Sequence, residues 1–492
     1  MVYVASLLLL APEPMTFRTE ILSALRWVAG AKLLGQLVTW GITIVVMRIL
    51  SPADYGILAM ASVLVAFLGL MAEFGVGAAA IQASEMDDAK LRMIFGLVIV
   101  VNAALFLLLF LAAPLVAWFF DEPRLVAIVR TLGLQFILMT FSVIPSSQLS
   151  RRLHFKGQSL VDFSGAIASS LTALVGALAG LGVWALVWAS LVMAAWRVVG
   201  LNIISPFWQW PDFRLRGTRQ FLWFGGNLTV ARILWFFYSQ ADIIIAGRFL
   251  GKDLLGVYSV SLHLASLPIQ KLSAMINQVA FPAFARIQHD QDRFNANFLL
   301  AIRMMSFAAF PVLWGMSSIA PEMVAVLLGE KWRAATLPLQ VLALVMPLHM
   351  LAPFMNTAAQ GIGRADIALK QVLLAAVVMP VAFLAGVQWG VVGLSIAWVV
   401  VFPFVLWGTM VIFLPVIGLR VVDVIYAIAH PSFAGLGMYA AVALARGLIE
   451  PKMPMVAQLI ILILSGAIAY GVFSLTLNRA GCKEIVGLLK RN

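Results

Sequence analysis

The sequence predicts an all-α membrane protein of about fourteen transmembrane helices, arranged as two six-helix lobes in parallel pseudo-two-fold repeat, with two more helices at the C-terminal end. Three observations predict it. Of 492 residues, 63% are apolar and 11% charged, with a mean hydropathy of +1.02, where a soluble domain carries about 25% charged residues. Apolar stretches of membrane length follow one another through connections no longer than about fifteen residues. The nine residues R-I-L-S-P-A-D-Y-G (Arg48 to Gly56) return as R-F-L-G-K-D-L-L-G (Arg248 to Gly256), 200 positions later, with Arg, Leu and Gly in the same places. A repeat on this scale in a membrane chain points to a two-lobed transporter.

The elements follow in order. The chain opens on M-V-Y-V-A-S-L-L-L-L-A-P-E-P-M-T, an apolar run with no basic residue ahead of it, which fails the signal-peptide pattern and is too short to span. It reads either as a disordered extension or as an upstream start with Met15 as the true initiator. Residues 1–28 form this extension and a cytoplasmic segment. The first lobe, 29–204, holds spans at roughly 29–50, 57–81, 93–119, 127–149, 159–180 and 183–204. A polar linker occupies 205–219. The second lobe, 220–415, repeats the plan at roughly 221–247, 254–283, 298–327, 334–360, 367–387 and 390–415. Spans near 424–446 and 454–477 fill residues 416–478, and 479–492 are a cytoplasmic tail holding the one cysteine, Cys482. A single thiol leaves no intrachain disulfide and no cysteine-based metal site.

Six spans is an even number, so both lobes enter the membrane in the same sense and Arg48 and Arg248 share a face. A weaker echo, A-G-L-G-V-W-A-L (Ala179 to Leu186) against A-G-V-Q-W-G-V-V-G-L (Ala385 to Leu394), places a Gly-rich turn between the fifth and sixth spans of each lobe. The net charge of +12 is scattered singly over short loops, which argues against nucleic acid. Termini and even-numbered connections carry 19 Lys and Arg against 8 on the odd-numbered ones. Both termini are therefore expected in the cytoplasm.

Charges inside spans bear on mechanism. Arg232 lies near the centre of span seven and Lys271 near the centre of span eight. Each costs about 2.5–3.5 kcal/mol at mid-bilayer, so each needs a counter-charge or a wet cavity. Two such cations suit an anionic passenger, above all a pyrophosphate; permanent pairing with a carboxylate is the alternative. Pro268, three residues before Lys271, is expected to break the helix locally, as part of a wet site or as a plain kink. Glu73 and Asp242 are the embedded carboxylates, candidates for a coupling H⁺ or Na⁺ or for counter-ions. Asp242 is ten residues from Arg232, about 15 Å along a helix, too far for a direct pair. Arg197, Arg303 and Asp162 lie near helix ends, where snorkelling, solvation or capping is the expectation. Arg48 and Arg248 close the outer ends of spans one and seven, as helix caps or as outer-rim contacts to a headgroup.

Amides and aromatics add a glycan signal, since sugars are held by amide hydrogen bonds and by stacking. Gln36, Asn227, Gln240, Asn277 and Gln278, with Trp40, Trp235 and Tyr238, fall in spans one, seven and eight. The same residues can glue helices or form interface belts. The histidines show no metal-ligand spacing, and His263 and His349, inside spans, are expected to be hydrogen-bonded packing residues. No Walker-type motif occurs, so transport is ion-coupled or downhill and no cofactor is implied.

The segments R-I-L-S-P-A-D-Y-G-I-L-A (Arg48 to Ala59), A-E-F-G-V-G-A-A-A-I-Q (Ala72 to Gln82), A-D-I-I-I-A-G-R-F-L-G (Ala241 to Gly251), L-G-V-Y-S (Leu255 to Ser259), Leu267-Pro268 and F-P-A-F-A-R (Phe281 to Arg286) resemble those of Wzx-type polysaccharide-transport flippases. These are lipid-linked oligosaccharide exporters in the superfamily of the MATE drug exporters and lipid II flippases. The likeness covers about residues 17–415. It implies a carrier, not an enzyme, for undecaprenyl-pyrophosphate-linked repeat units in the bacterial inner membrane. It also implies a cation-lined cavity between two six-helix lobes and alternating access, with a polysaccharide polymerase and a chain-length regulator as prospective partners. A MATE-like exporter of organic cations is the rival, but it calls for mid-span carboxylates in the first lobe. A membrane enzyme of glycan assembly calls for large extramembrane loops, which are missing from the sequence.

Overall fold

The computed structural model describes residues 36, 38–75, 88–152, 155–213, 219–450 and 452–477, without side chains at 73–75, 155, 219–232, 274–279, 365 and 477. Among the described residues the protein is all-helical, and it is a multi-pass membrane protein. The helices are α1 (Val38–Ile49), α2 (Pro52–Gly75), α3 (Asp88–Phe120), α4 (Leu125–Arg151), α5 (Phe155–Leu178) and α6 (Val183–Ile204). They continue as α7 (219–250), α8 (252–287), α9 (Gln291–Ser318), and α10, which is Thr336–His349 followed by Leu351–Gly361. The last four are α11 (Ala365–Gly386), α12 (Gly390–Phe413), α13 (Val421–Leu448) and α14 (Met455–Leu477). Among the described residues these make fourteen arms, the number the sequence predicts, and eleven segments are long and apolar enough to cross a membrane.

Local chemistry explains the breaks. Ser51 and Asp54 form a reciprocal cap, Ser51 N–H donating to Asp54 Oδ2 at 2.9 Å and Asp54 N–H to Ser51 Oγ at 3.3 Å, and Pro52 starts α2 where a missing N–H costs nothing. The second copy of the motif lacks that box. Between α7 and α8 the chain instead turns at Gly251, whose φ of 74° favours glycine. The echoed turns behave likewise: Gly180, Gly182 and Gly390 all have positive φ. Pro268 does not break its helix. Gly251 is the one non-helical residue within 219–287, so packing holds α8 helical despite the N–H that proline removes.

The helices sort into two packing neighbourhoods. In one, α3 packs on α4, α4 on α6, and α5 on α6, with α2 touching α3, α4 and α6. In the other, the α7–α8 segment packs on α10, α11 and α12, while α9 packs on α10 and on α13, which carries α14. The broadest contact between neighbourhoods runs α2 along the α7–α8 segment. Large apolar side chains such as Leu111, Trp118 and Phe404 are well exposed, as required where the solvent is hydrocarbon. The described part of the linker, 205–213, is tied to α3: Phe207 meets Phe95 edge-on at 5.4 Å, Arg92 Nε donates to Trp210 O at 2.9 Å, and Asp212 N–H to Arg92 O at 3.0 Å. Gly96 permits this, because a Cβ there would stand 2.3 Å from the Asp212 carbonyl oxygen.

Candidate functional site

The repeated motif meets itself. A Cβ on Gly56 would lie 1.8 Å from the Lys252 carbonyl oxygen, and a Cβ on Gly256 would lie 1.7 Å from that of Pro52. Pro52 and Lys252, like Gly56 and Gly256, are 200 residues apart, so exchanging the repeats maps this contact onto itself, as across a local two-fold axis. The two backbones approach so closely only because neither position has a side chain.

The arginines of the motif brace this crossing. Arg48 Nε donates to Leu327 O at 2.9 Å, and its terminal nitrogen to Val326 O, in the segment after α9. Arg248 donates to Phe119 O at 2.9 Å, at the end of α3, with its guanidinium 5.8 Å from the Phe119 ring centroid. Each arginine thus caps a helix end belonging to the other repeat, rather than its own. Around them, Trp332 Nε1 donates to Met47 O at 2.8 Å, and Tyr55 meets the Trp332 ring edge-on at 5.5 Å. Lys331 Nζ donates to Ile49 O at 3.2 Å. Glu122, in the α3–α4 connection, binds Arg124 Nε and Lys252 Nζ, each at 2.8 Å. Arg124 and then Lys252 hold its carboxyl down at about 2, against some cost of burial. All the connections joined here are odd-numbered, so the face carrying Arg48 and Arg248 is sealed in this conformation.

The cation candidates fare differently. Lys271 is exposed and has no ion-pair partner among the described residues. The side chain of Arg232 lies outside the described residues, as do those of Asn227, Asn277, Gln278 and Glu73. Among described candidates, Gln36 and Gln240 are half-buried and Trp40 is exposed, and none of the three lines a described cavity.

Trp235, Tyr238 and Asp242 do come together, in a cavity of about 470 Å³ enclosed by α7, α8, α10, α11 and α12. Asp242 is 1% exposed, and donors fix both its oxygens: Tyr258 Oη at 2.7 Å on Oδ2, and Ile243 N–H at 2.8 Å on Oδ1. Trp398 Nε1 donates in turn to Tyr258 Oη at 2.9 Å. No described cation pairs with it, so a role as counter-ion to Lys271 is not what the structure presents. The same cavity holds Gln270, Asn356 and Gln371, and the buried Asn356 Oδ1 and Gln371 Oε1 accept no hydrogen bond from the described residues. A carboxylate and two unsatisfied amide oxygens in one cavity are the acceptor chemistry of a small cation or a proton. Sequence reasoning missed Tyr258, Asn356, Gln371 and Trp398, although Tyr258 sits inside the L-G-V-Y-S signature.

Arg197 and Asp162 keep side chains 41% and 43% exposed, in keeping with their places near helix ends, and approach each other at 3.5 Å as an ion pair. Two further expectations are corrected. His349 packs with its ring 5.2 Å from Trp398 and 5.0 Å from Phe402, and no hydrogen bond of its ring is described. His263 is exposed and lines a cavity rather than the core.

The chain resembles known proteins in sequence and in fold. The family described as "Polysaccharide biosynthesis protein" matches residues 45–337. Among characterised relatives, the teichuronic acid biosynthesis protein TuaB of Bacillus subtilis (strain 168) is 29% identical over 339 residues, 68% of this chain and 69% of its own length. The lipopolysaccharide biosynthesis protein WzxC of Escherichia coli (strain K12) is 26% identical over 403 residues, 79% of each chain. The succinoglycan biosynthesis transport protein ExoT of Rhizobium meliloti (strain 1021) is 25% identical over 340 residues, 68% of this chain and 69% of its own. Among solved structures, an inward closed conformation of the lipid II flippase MurJ superposes with a TM-score of 0.72 at 12% identity, covering 91% of this chain and 99% of that one. That last likeness is one of fold.

Proposed function

Because the chain belongs to the polysaccharide biosynthesis protein family, we propose that it flips undecaprenyl-pyrophosphate-linked oligosaccharide repeat units across the bacterial inner membrane, by alternating access, for O-antigen, capsule or exopolysaccharide synthesis. It acts as a carrier and not as an enzyme. The relatives' printed roles in polysaccharide synthesis and transport support the substrate class, and the fold shared with a lipid II flippase supports the mode of action. Both termini are cytoplasmic on this reading, in keeping with the bias of basic residues. The sealed Arg48–Arg248 face is then the outer one, and the headgroup is loaded from the cytoplasm. A polymerase and a chain-length regulator receive the product at the outer face.

One observation carries the anionic part of the proposal: Lys271 is exposed midway along a membrane helix without a described acid. An ammonium facing hydrocarbon there would be expensive, so its environment is wet, and a pyrophosphate supplies the missing charge. Arg232 is the second member of this clamp. Asp242, with the free oxygens of Asn356 and Gln371, takes the coupling H⁺ or Na⁺. The clamp is tested in a strain lacking the native gene. Lys271→Ala and Arg232→Ala should abolish surface polysaccharide while detergent-solubilised protein stays monodisperse. Undiminished export by the double variant would reject the clamp.

A further inference from the structure

Directly inside the glycine crossing lies a second cavity, of about 380 Å³, walled by α1, α2, α5, α6 and α8. In chain order its walls α1, α2, α5 and α6 are the first-repeat counterparts of α7, α8, α11 and α12, which line the Asp242 cavity together with α10. Its chemistry is opposite. Its polar lining is hydroxyls and one imidazole, and no Asp, Glu, Lys or Arg takes part. A phosphate in it would be a buried charge without compensation. The volume falls within the range of about 300–1,000 Å³ usual for small-molecule sites.

Some of these hydroxyls are spent on the fold. Thr43 donates to Thr39 O at 2.8 Å, Ser169 to Ala189 O at 2.8 Å, and Ser259 to Gly256 O at 3.1 Å. Ser62, Ser170 and the ring of His263 have no hydrogen-bond partner among the described residues, and Ser62 and His263 are exposed. Facing them are apolar walls and the ring of Tyr55. Uncommitted neutral donors and acceptors beside an apolar face suit a sugar ring, which offers hydroxyls at its edge and C–H groups on its faces. Position agrees. His263 lies eight residues nearer the crossing than Lys271 on the same helix, about 12 Å along its axis.

Resting on the flippase reading, we infer that this cavity is a subsite for uncharged sugar, which receives the part of the glycan farthest from the pyrophosphate and selects repeat units through Ser62, Ser170 and His263. It also touches both repeats, since α8 supplies Ser259 and His263 to walls otherwise built by the first, so an occupant bridges the two sides that separate when the crossing opens.

The test is flipping by the purified full chain in proteoliposomes, with two probes: a polyprenyl-pyrophosphate bearing one sugar and one bearing an oligosaccharide. Ser62→Phe fills the cavity from an exposed position, while Ser170→Ala and His263→Ala remove polar groups without adding bulk. Expected is a fall of about tenfold or more in the ratio of oligosaccharide to single-sugar rates for Ser62→Phe, and a smaller fall of the same sign for the alanine variants, in the range that lost polar contacts give to discrimination. An unchanged ratio in all three overturns the subsite, whether absolute rates hold or drop together. Wild-type protein that moves neither lipid would instead overturn the flippase reading itself.

Discussion

Alanine at Gly56 should pry open the sealed face. The added Cβ would stand 1.8 Å from the Lys252 carbonyl oxygen, 2.7 Å from its carbon and 3.0 Å from the Gly256 nitrogen. A carbon and a carbonyl oxygen settle at about 3.3 Å or more, so α2 and α8 would have to part by roughly 1.5 Å. The obstruction is backbone on both sides, which no rotamer change relieves. Overpacking of this kind costs about 1–3 kcal/mol, which disfavours the sealed state by roughly 5- to 150-fold. Gly256→Ala should act alike, with 1.7 Å to the Pro52 oxygen, and Arg48→Ala should shift the balance the same way. The readout is alkylation of Ala59→Cys, which lines the cavity under the crossing, in a Cys482→Ser background, by a membrane-impermeant maleimide added outside. Protection in the parent and fast labelling in Gly56→Ala is the expected pair. Gly69→Ala on the same helix meets nothing within 4 Å and should stay protected. Equal protection in all three would refute the claim that the glycine crossing is the seal.

Three other outcomes follow from the geometry. Glu122, held at about 2 by Arg124 and Lys252, contributes stability that is complete above the unfolded carboxylate value and is lost as pH falls from about 4.5 toward 2. Thermal unfolding from about pH 6 to pH 3 should therefore show a steeper loss in wild type than in Glu122→Gln; parallel curves would deny the linkage. Asp242→Asn should leave the lipid-linked probe bound yet make flipping insensitive to an imposed H⁺ or Na⁺ gradient, and a retained gradient response would move coupling elsewhere. Gly96→Ala should detach the linker from α3, because its Cβ would meet the Asp212 oxygen at 2.3 Å; a melting loss of about 1–3 kcal/mol is expected, and an unshifted transition would count against that contact.

Helix number and the repeat were legible because both are written in local pattern: apolar length sets the spans, and identical residues at a fixed offset mark the copies. What the copies do was not. Nothing in the motif says that Gly56 touches the Lys252 backbone, since the contact joins residues far apart and involves no side chain. Asp242 was visible as an acid in an apolar run, but its donor Tyr258 is 16 residues away across the Gly251 turn, and Trp398 is 140 residues beyond that. Asn356 and Gln371 are single amides in apolar helices, indistinguishable in sequence from helix glue. Pro268 shows the opposite error: a strong local breaker whose effect tertiary packing overrides.

The Arg48 and Arg248 braces end on main-chain oxygens of Val326, Leu327 and Phe119. Every amino acid offers that same acceptor, so the positions they grip can drift in identity through evolution while the grip persists. Contact inference from correlated substitutions would pass over the Arg48 brace, and engineers can recode residues 326 and 327 for labelling or altered solubility with little risk to closure, whereas position 119 also offers its ring to the Arg248 guanidinium.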